Sequence, residues 1–293
     1  MTDVGTSPFE PWPVADIHVE STAEGARLAA ERGDIVVIVD VLSFSTTIGI
    51  AVDRGAEALV YSGEEIDQRG GREAIARDLD AEIIAKGRIP DGERFSLSPA
   101  SLGALEPGDR VIFTSWNGAA CVSAAMDRGR SAGTEALPTR IRPPVSAPAV
   151  LIAALNNRTA AANAVVELLG ESDPTADPRR RCTIVAAAEH WSSTVPGRPG
   201  IRPALEDQLG AGAIAARLGE RGLELSVEAH TAAAAFVAAE NHIGDVLRAC
   251  VSGRELIEKG FALDVDLAAA VDSADTVAIW RSGDPPRTFR RWP

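Results

Sequence analysis

An acid that closes an apolar run and is followed at once by hydroxyls is the first chemical signal in the chain: Asp40-Val-Leu-Ser43-Phe-Ser45-Thr46-Thr47. Two further apolar runs end in a similarly polar way, in Thr114-Ser115-Trp116-Asn117-Gly118 and Asn156-Asn157-Arg158-Thr159. Hydroxyls and free backbone N–H groups at a helix start bind phosphate or another oxyanion. A neighbouring carboxylate adds the oxygen ligand that Mg2+ prefers, bridging to a substrate phosphate. Asp40 is the sharpest signal, because a charge ending an apolar run is costly unless a metal, a cation or hydrogen bonds meet it. Any one of these ends also reads as an ordinary N-cap; the coincidence of three carries the argument. Ser43, Ser45, Thr46 and Asn156 are therefore candidate phosphate-binding residues. Asn117 is a candidate catalytic residue, and Asp40 a candidate catalytic residue and metal ligand.

A fourth segment, Ile201-Arg202-Pro203-Ala204-Leu205-Glu206-Asp207, opens another helix. Pro203 suits the first helical position, and the two acids then lie near the positive end of the helix dipole. The dipole alone accounts for them. The functional reading instead turns one into the cleft of Asp40, because adjacent helical residues differ by about 100° in direction. Glu206 or Asp207 is expected to be the second metal ligand, and the spacing does not choose between them. Other signals fail: Gly210-Ala-Gly212 imitates a dinucleotide fingerprint but lies inside a helix, and no Gly-x-Ser-x-Gly elbow occurs. His190 reads as a cap or surface residue ahead of an acid/base group.

The elements that must hold these residues alternate. Apolar runs read as strands over 35–42, 58–61, 81–85, 110–114, 150–155 and 183–187, with a late one over 276–280. Ala/Leu-rich segments read as helices over 47–54, 63–78, 119–127, 159–169, 204–219 and 231–244. Several runs are apolar on both alternating faces, as central strands covered on both sides are. The alternation predicts an α/β fold: a three-layer α/β/α sandwich with a largely parallel or mixed sheet, in which ligands collect beyond the carboxyl ends of strands. One large α/β unit over 1–293 is expected, with a Pro/Arg-rich surface excursion at 129–148.

Composition narrows the partners. With 29 basic against 42 acidic side chains, a net charge of −13 and no basic tract, the chain does not suit a nucleic-acid backbone. No apolar run approaches a membrane span and no basic-then-apolar leader opens the sequence, so a cytoplasmic protein is expected. Three scattered cysteines make neither a disulfide framework nor a zinc cluster. A small anionic ligand is the expected partner, and a homo-oligomer is compatible with the chain.

Taken in order, the motifs resemble those of the 2-phosphosulfolactate phosphatase family. VVIVDVLSFSTTIGIAVDRGA resembles its signature strand and helix, and FTSWNGAA is similar to its Thr-Thr-Asn-Gly turn. LIAALNNRTAAANAV resembles its strand ending in Leu-Asn, RPALEDQLGAGAIAARL its Glu-Asp helix, and FALDVDLAAAVDSADTVAIW its C-terminal acidic helix and closing strand. The resemblance implies Mg2+-dependent hydrolysis of a small anionic phosphomonoester, 2-phosphosulfolactate or a close analogue. Three departures bear on the substrate. Ser43 stands where the family usually carries Arg, Lys86-Gly87-Arg88 lacks the family's acid, and Phe95-Ser96-Leu97-Ser98-Pro99 lacks an acid and an asparagine. Charge-assisted contacts are worth about 1.5–3 kcal/mol each, so the lost arginine needs replacement. Arg88 is expected at the reacting centre, and Arg158 and Arg202 on the remaining anionic group, within a locally basic cleft. Direct attack by water is expected ahead of an aspartyl-phosphate at Asp40. A non-catalytic anion-binding protein on the same scaffold is the rival, motivated by the departures at positions 43 and 96.

Overall fold

Nothing in the run Ile35-Val-Val-Ile-Val39 can face water, and the fold is organised around burying it. In a computed structural model, described here over residues 15–85, 87–88, 94–127, 149–171, 180–194 and 197–292, all five of its side chains are inaccessible. Each such Val or Ile contributes roughly 1.5–3 kcal/mol. The strands in chain order are β1 (Ile17–Ser21), β2 (Ile35–Val39), β3 (Glu57–Val60), β4 (Glu82–Ile83), β5 (Arg110–Phe113), β6 (Ala149–Ile152) and β7 (Cys182–Ala186). A small ribbon of β8 (Glu189–His190) and β9 (Ile201–Arg202) follows, and the hairpin β10 (Val277–Arg281) and β11 (Thr288–Trp292) closes the chain.

Among the described residues, nine strands form one sheet in the order β1-β7-β2-β6-β10-β11-β3-β5-β4. The first four are parallel and the last three are parallel, with β10 and β11 inserted antiparallel between the two blocks. β11 links them by sharing its length: Arg290–Trp292 pair with β10, while Thr288 and Phe289 pair with β3. By ladder direction the blocks oppose each other. The turn after β2 and the helix start after β5 nevertheless come together, through the hydrogen bond from the Gly118 amide to Asp40.

Alternation on β2 divides the interior. Ile35, Val37 and Val39 pack under the helices Arg158–Gly170, Leu205–Gly219 and Val227–Ala239. Val36 and Ile38 pack under Phe44–Asp53, Gly118–Met126 and Thr22–Arg32. These are the three layers and the mixed sheet that the alternation predicts. The differences lie at the edges. The segment 63–78 is two helices, Gly63–Gln68 and Arg72–Leu79, broken where Gly70 and Gly71 take positive φ. The 231–244 helix starts earlier and ends at Ala239, and the 81–85 strand shrinks to two residues. β1 and β11 were not legible as strands, the first being a half-exposed edge and the second carrying exposed Arg290 and Arg291. The excursion at 129–148 lies outside the described residues.

Candidate active site

Two strand ends and one helix start bring four carboxylates into one electrostatic cluster, and a third strand end binds one of them. β2 runs directly into Asp40, which is 7% exposed. Its backbone turns at once into the helix Phe44–Asp53, and the hydroxyls of the turn hold that bend. Asp40 N donates to Ser45 Oγ at 2.9 Å, Ser45 Oγ donates to the Ile38 carbonyl at 3.2 Å, and Thr46 Oγ1 donates to the Val41 carbonyl at 2.8 Å. The two hydroxyls are thus committed to the chain that presents Asp40.

The Asp40 carboxylate accepts the N–H of Gly118 at 2.9 Å, at the start of the helix that follows β5. A Cβ at Gly118 would stand 2.8 Å from Asp40 Oδ2 and 2.2 Å from Phe44 Cδ1, so the approach requires glycine. The preceding residue, Asn117, donates from Nδ2 to Glu189 Oε1 at 2.9 Å. Glu189 follows β7 and also accepts its neighbour's N–H, from His190, at 3.0 Å.

The helix Leu205–Gly219 supplies the other two acids, with Ala204 as its N-cap, so Pro203 stands ahead of the first turn instead of within it. Asp207, 3% exposed, accepts from Val41 N at 2.8 Å and from Ala188 N at 3.1 Å. Its two oxygens therefore tie the ends of β2 and β7 together. Glu206 diverges from it as the helical step demands: it acts on the Cys250 thiol, and its Oε2 is buried with no hydrogen-bond partner. The expectation that the two acids part ways fits this arrangement.

Burial and mutual repulsion load the cluster. The Asp40 carboxyl is pushed up to about 7, first by burial and then by Glu189, against the opposing N–H groups of Gly118 and Phe44. Asp207 is pushed well above the usual carboxylate range, by burial and then by Asp40 and Glu206. A basic cleft was expected here; the described residues show an acidic centre with an arginine beside it.

That arginine is Arg88, which donates to Ser43 Oγ at 3.0 Å and to Asp264 Oδ2 at 3.1 Å. Burial lowers its proton affinity while Asp264 and then Asp40 raise it, so it lies within electrostatic reach of the acids. Asp264, itself buried, is held by Ser98 Oγ at 2.6 Å. Where the family resemblance expects an arginine at position 43, a guanidinium from another loop hydrogen-bonds the serine that stands there.

Other sequence candidates are placed differently. Arg158 is paired with Asp272 at 2.9 Å and Glu240 at 2.7 Å and lies over the Phe236 ring. Its charge is thereby neutralised by the protein, and among the described residues no hydrogen bond or ion pair joins it to the carboxylate cluster. Asn156 is buried beside Gly49 with both amide atoms unpartnered. Arg202 lies in β9, its backbone opposite Glu189. Sequence reasoning passed over Glu189 and Asp264 as site residues. Their signals were present, an acid just beyond a wholly buried strand and an acid in the C-terminal motif.

Among the described residues, no three His, Cys, Asp or Glu side chains form a ready metal cage. Mg2+ does not need one, since it commonly takes one or two carboxylates and completes its shell with water and substrate oxygens. The orphaned Oε2 of Glu206 and the raised proton affinity of Asp40 suit a hard cation. Asp207, with both oxygens on N–H groups, is a strut.

A family model described as 2-phosphosulpholactate phosphatase matches residues 131–283. A protein of Parasynechococcus marenigrum (strain WH8102), named "Probable 2-phosphosulfolactate phosphatase", is 31% identical over 232 residues, spanning 78% of this chain and 80% of its own. No helix among the described residues is long and apolar enough to cross a membrane. On the family match and this identity together, the chain belongs to the 2-phosphosulpholactate phosphatase family of phosphoric monoester hydrolases.

Proposed function

We propose that the protein hydrolyses 2-phosphosulfolactate to sulfolactate and inorganic phosphate with Mg2+ as cofactor. The observation that carries this reading is the Asp40 carboxylate, fixed on the Gly118 amide at the helix start after β5 and crowded by three other acids. Such crowding is costly in an empty site and favourable around a divalent ion. Asp40 and Glu206 would hold the ion. When bound, it supplies charge neutralisation at the phosphoryl oxygens and a more acidic water.

The rest of the work falls to side chains. Asp207 fixes the amides of Val41 and Ala188, so the bend that carries Asp40 stays rigid. Asn117 aims Glu189, which is partly open to solvent and suited to take the proton of the attacking water. Arg88 offers positive charge to the transferring group while Asp264 fixes its direction. The P–O bond to the ester oxygen breaks, and that oxygen leaves as the hydroxyl of sulfolactate after taking a proton from solvent, to which Glu189 returns its own.

The test is phosphate release from 2-phosphosulfolactate, 2-phospholactate and p-nitrophenyl phosphate, with Mg2+ and with EDTA. Release that is fastest from the sulfonated ester and abolished by EDTA supports the reading. Binding without release from any of the three, with Mg2+ present, contradicts it and favours an anion-binding protein.

A further inference from the structure

Beside the carboxylates lies a cleft of about 210 Å3 between the start of the Thr22–Arg32 helix and the start of the Leu205–Gly219 helix. One water occupies about 30 Å3 of liquid, so the cleft has room for a small ionised group with some hydration. Ala188, whose amide is bound by Asp207, lines it, which makes the cleft a neighbour of the acidic centre.

Arg202 also lines the cleft and is 5% exposed. Its hydrogen-bond partners are neutral: the Pro203 carbonyl at 3.4 Å and the Ser252 hydroxyl at 3.0 Å. Its Nε is buried with no partner, and among the described residues no carboxylate pairs with it. A guanidinium buried without a counter-charge is expensive, and an arriving anion removes the expense. The two helix starts on the wall lack capping side chains: Ser21 makes no side-chain cap at the first and Ala204 has no capping group at the second, so no N-cap side chain takes their first N–H groups, although Glu24 and the pair Glu206 and Asp207 stand in the first turns. Thr22, on the wall, takes φ 68, a conformation unfavourable for a β-branched residue and one that clusters at functional sites.

We infer that this cleft is the subsite for the sulfonate of the substrate, with Arg202 as its counter-charge and the two helix starts as its amide donors. The assignment rests on the proposed hydrolysis for its substrate. A sulfonate offers three acceptor oxygens to the Arg202 guanidinium and the backbone donors, where a flat carboxylate offers two.

Two variants test it: Arg202→Met, and Gln208→Glu on the exposed rim of the cleft. The readout is the ratio of kcat/KM for 2-phosphosulfolactate to kcat/KM for 2-phospholactate, which lacks the sulfonate. Each variant is expected to lower that ratio at least tenfold. Equal losses on both substrates, or no loss in Gln208→Glu with Arg202→Met misfolded, overturn the assignment. If the wild type hydrolyses neither ester, the proposed function fails first, and equilibrium dialysis with sulfolactate decides the cleft separately. Wild-type binding that weakens at least tenfold in Gln208→Glu sustains it; no binding, or equal binding by both, overturns it.

Discussion

Asp207 binds the amide of Val41, the residue immediately after Asp40, across 166 positions of sequence. Its other oxygen binds the amide of Ala188, immediately before Glu189. One buried carboxylate thus sets the path of the chain on either side of the acidic centre, holding Asp40 and Glu189 at the separation their mutual repulsion opposes.

That repulsion gives a pH dependence with a definite sign. The Asp40 carboxyl releases its proton near 3.8 when unfolded and at about 7 when folded. Between those values the native state binds the extra proton, so this group's contribution to stability is present at low pH and is lost as pH rises toward 7. Urea midpoints of wild type and Asp40→Asn, compared at pH 5 and pH 8 without divalent ions, isolate the effect. The variant is expected to gain stability relative to wild type at pH 8 and to gain less at pH 5.

Removing the strut should act in the opposite direction. Asp207→Ala leaves the Val41 and Ala188 amides buried without acceptors, at about 1–3 kcal/mol each. Asp207→Asn keeps one acceptor oxygen and should lose roughly half as much stability. Chemical denaturation at pH 5, where the repulsion is weakest, ranks the three proteins; an Asp207→Ala protein as stable as wild type would remove the strut.

Asp264 orients Arg88 without lying among the acids, so its loss should separate binding from turnover. Asp264→Asn is expected to lower kcat for the phosphoester about tenfold and change KM less, since it loosens one charge-assisted contact to the transferring group worth about 1.5–3 kcal/mol. Asp264→Glu should recover part of the kcat. A lowered melting temperature with kcat and KM unchanged would show that Asp264 serves the fold alone.

Gly118 tests the approach of the helix start after β5 to Asp40. Gly118→Ala places a methyl 2.2 Å from Phe44 and 2.8 Å from Asp40. Overpacking of this kind costs about 1–3 kcal/mol. Thermal melting should show the loss, and activity should fall further than stability, because the hydrogen bond that holds Asp40 is broken by the same shift.

The layered fold was legible because β2, β6 and β7 are buried on both faces, and such strands are written as unbroken apolar runs. Asp40 was legible for the related reason that an acid closes one of those runs. The Glu206 and Asp207 pair was legible as a site, though their separate roles were not, since only the fold shows which one meets the two amides. Glu189 was obscured because it lies just past the run read as a strand over 183–187, beside His190, which reads as a cap or surface residue. The Arg88–Asp264 pair spans 176 positions, and nothing local in either segment names the other. Arg158 misled because an arginine at a polar strand end looks free until its partners, Asp272 and Glu240, are brought to it from distant segments.

Asp40→Asn puts the central claim to the most direct measurement, the rate of phosphate release from 2-phosphosulfolactate at saturating Mg2+. The substitution keeps the size of the side chain and an oxygen to accept the Gly118 N–H, and removes the charge. The expected result is a folded protein whose turnover falls by at least a thousandfold, on the order of 4 kcal/mol of transition-state stabilisation. Turnover within a few-fold of wild type would contradict the account.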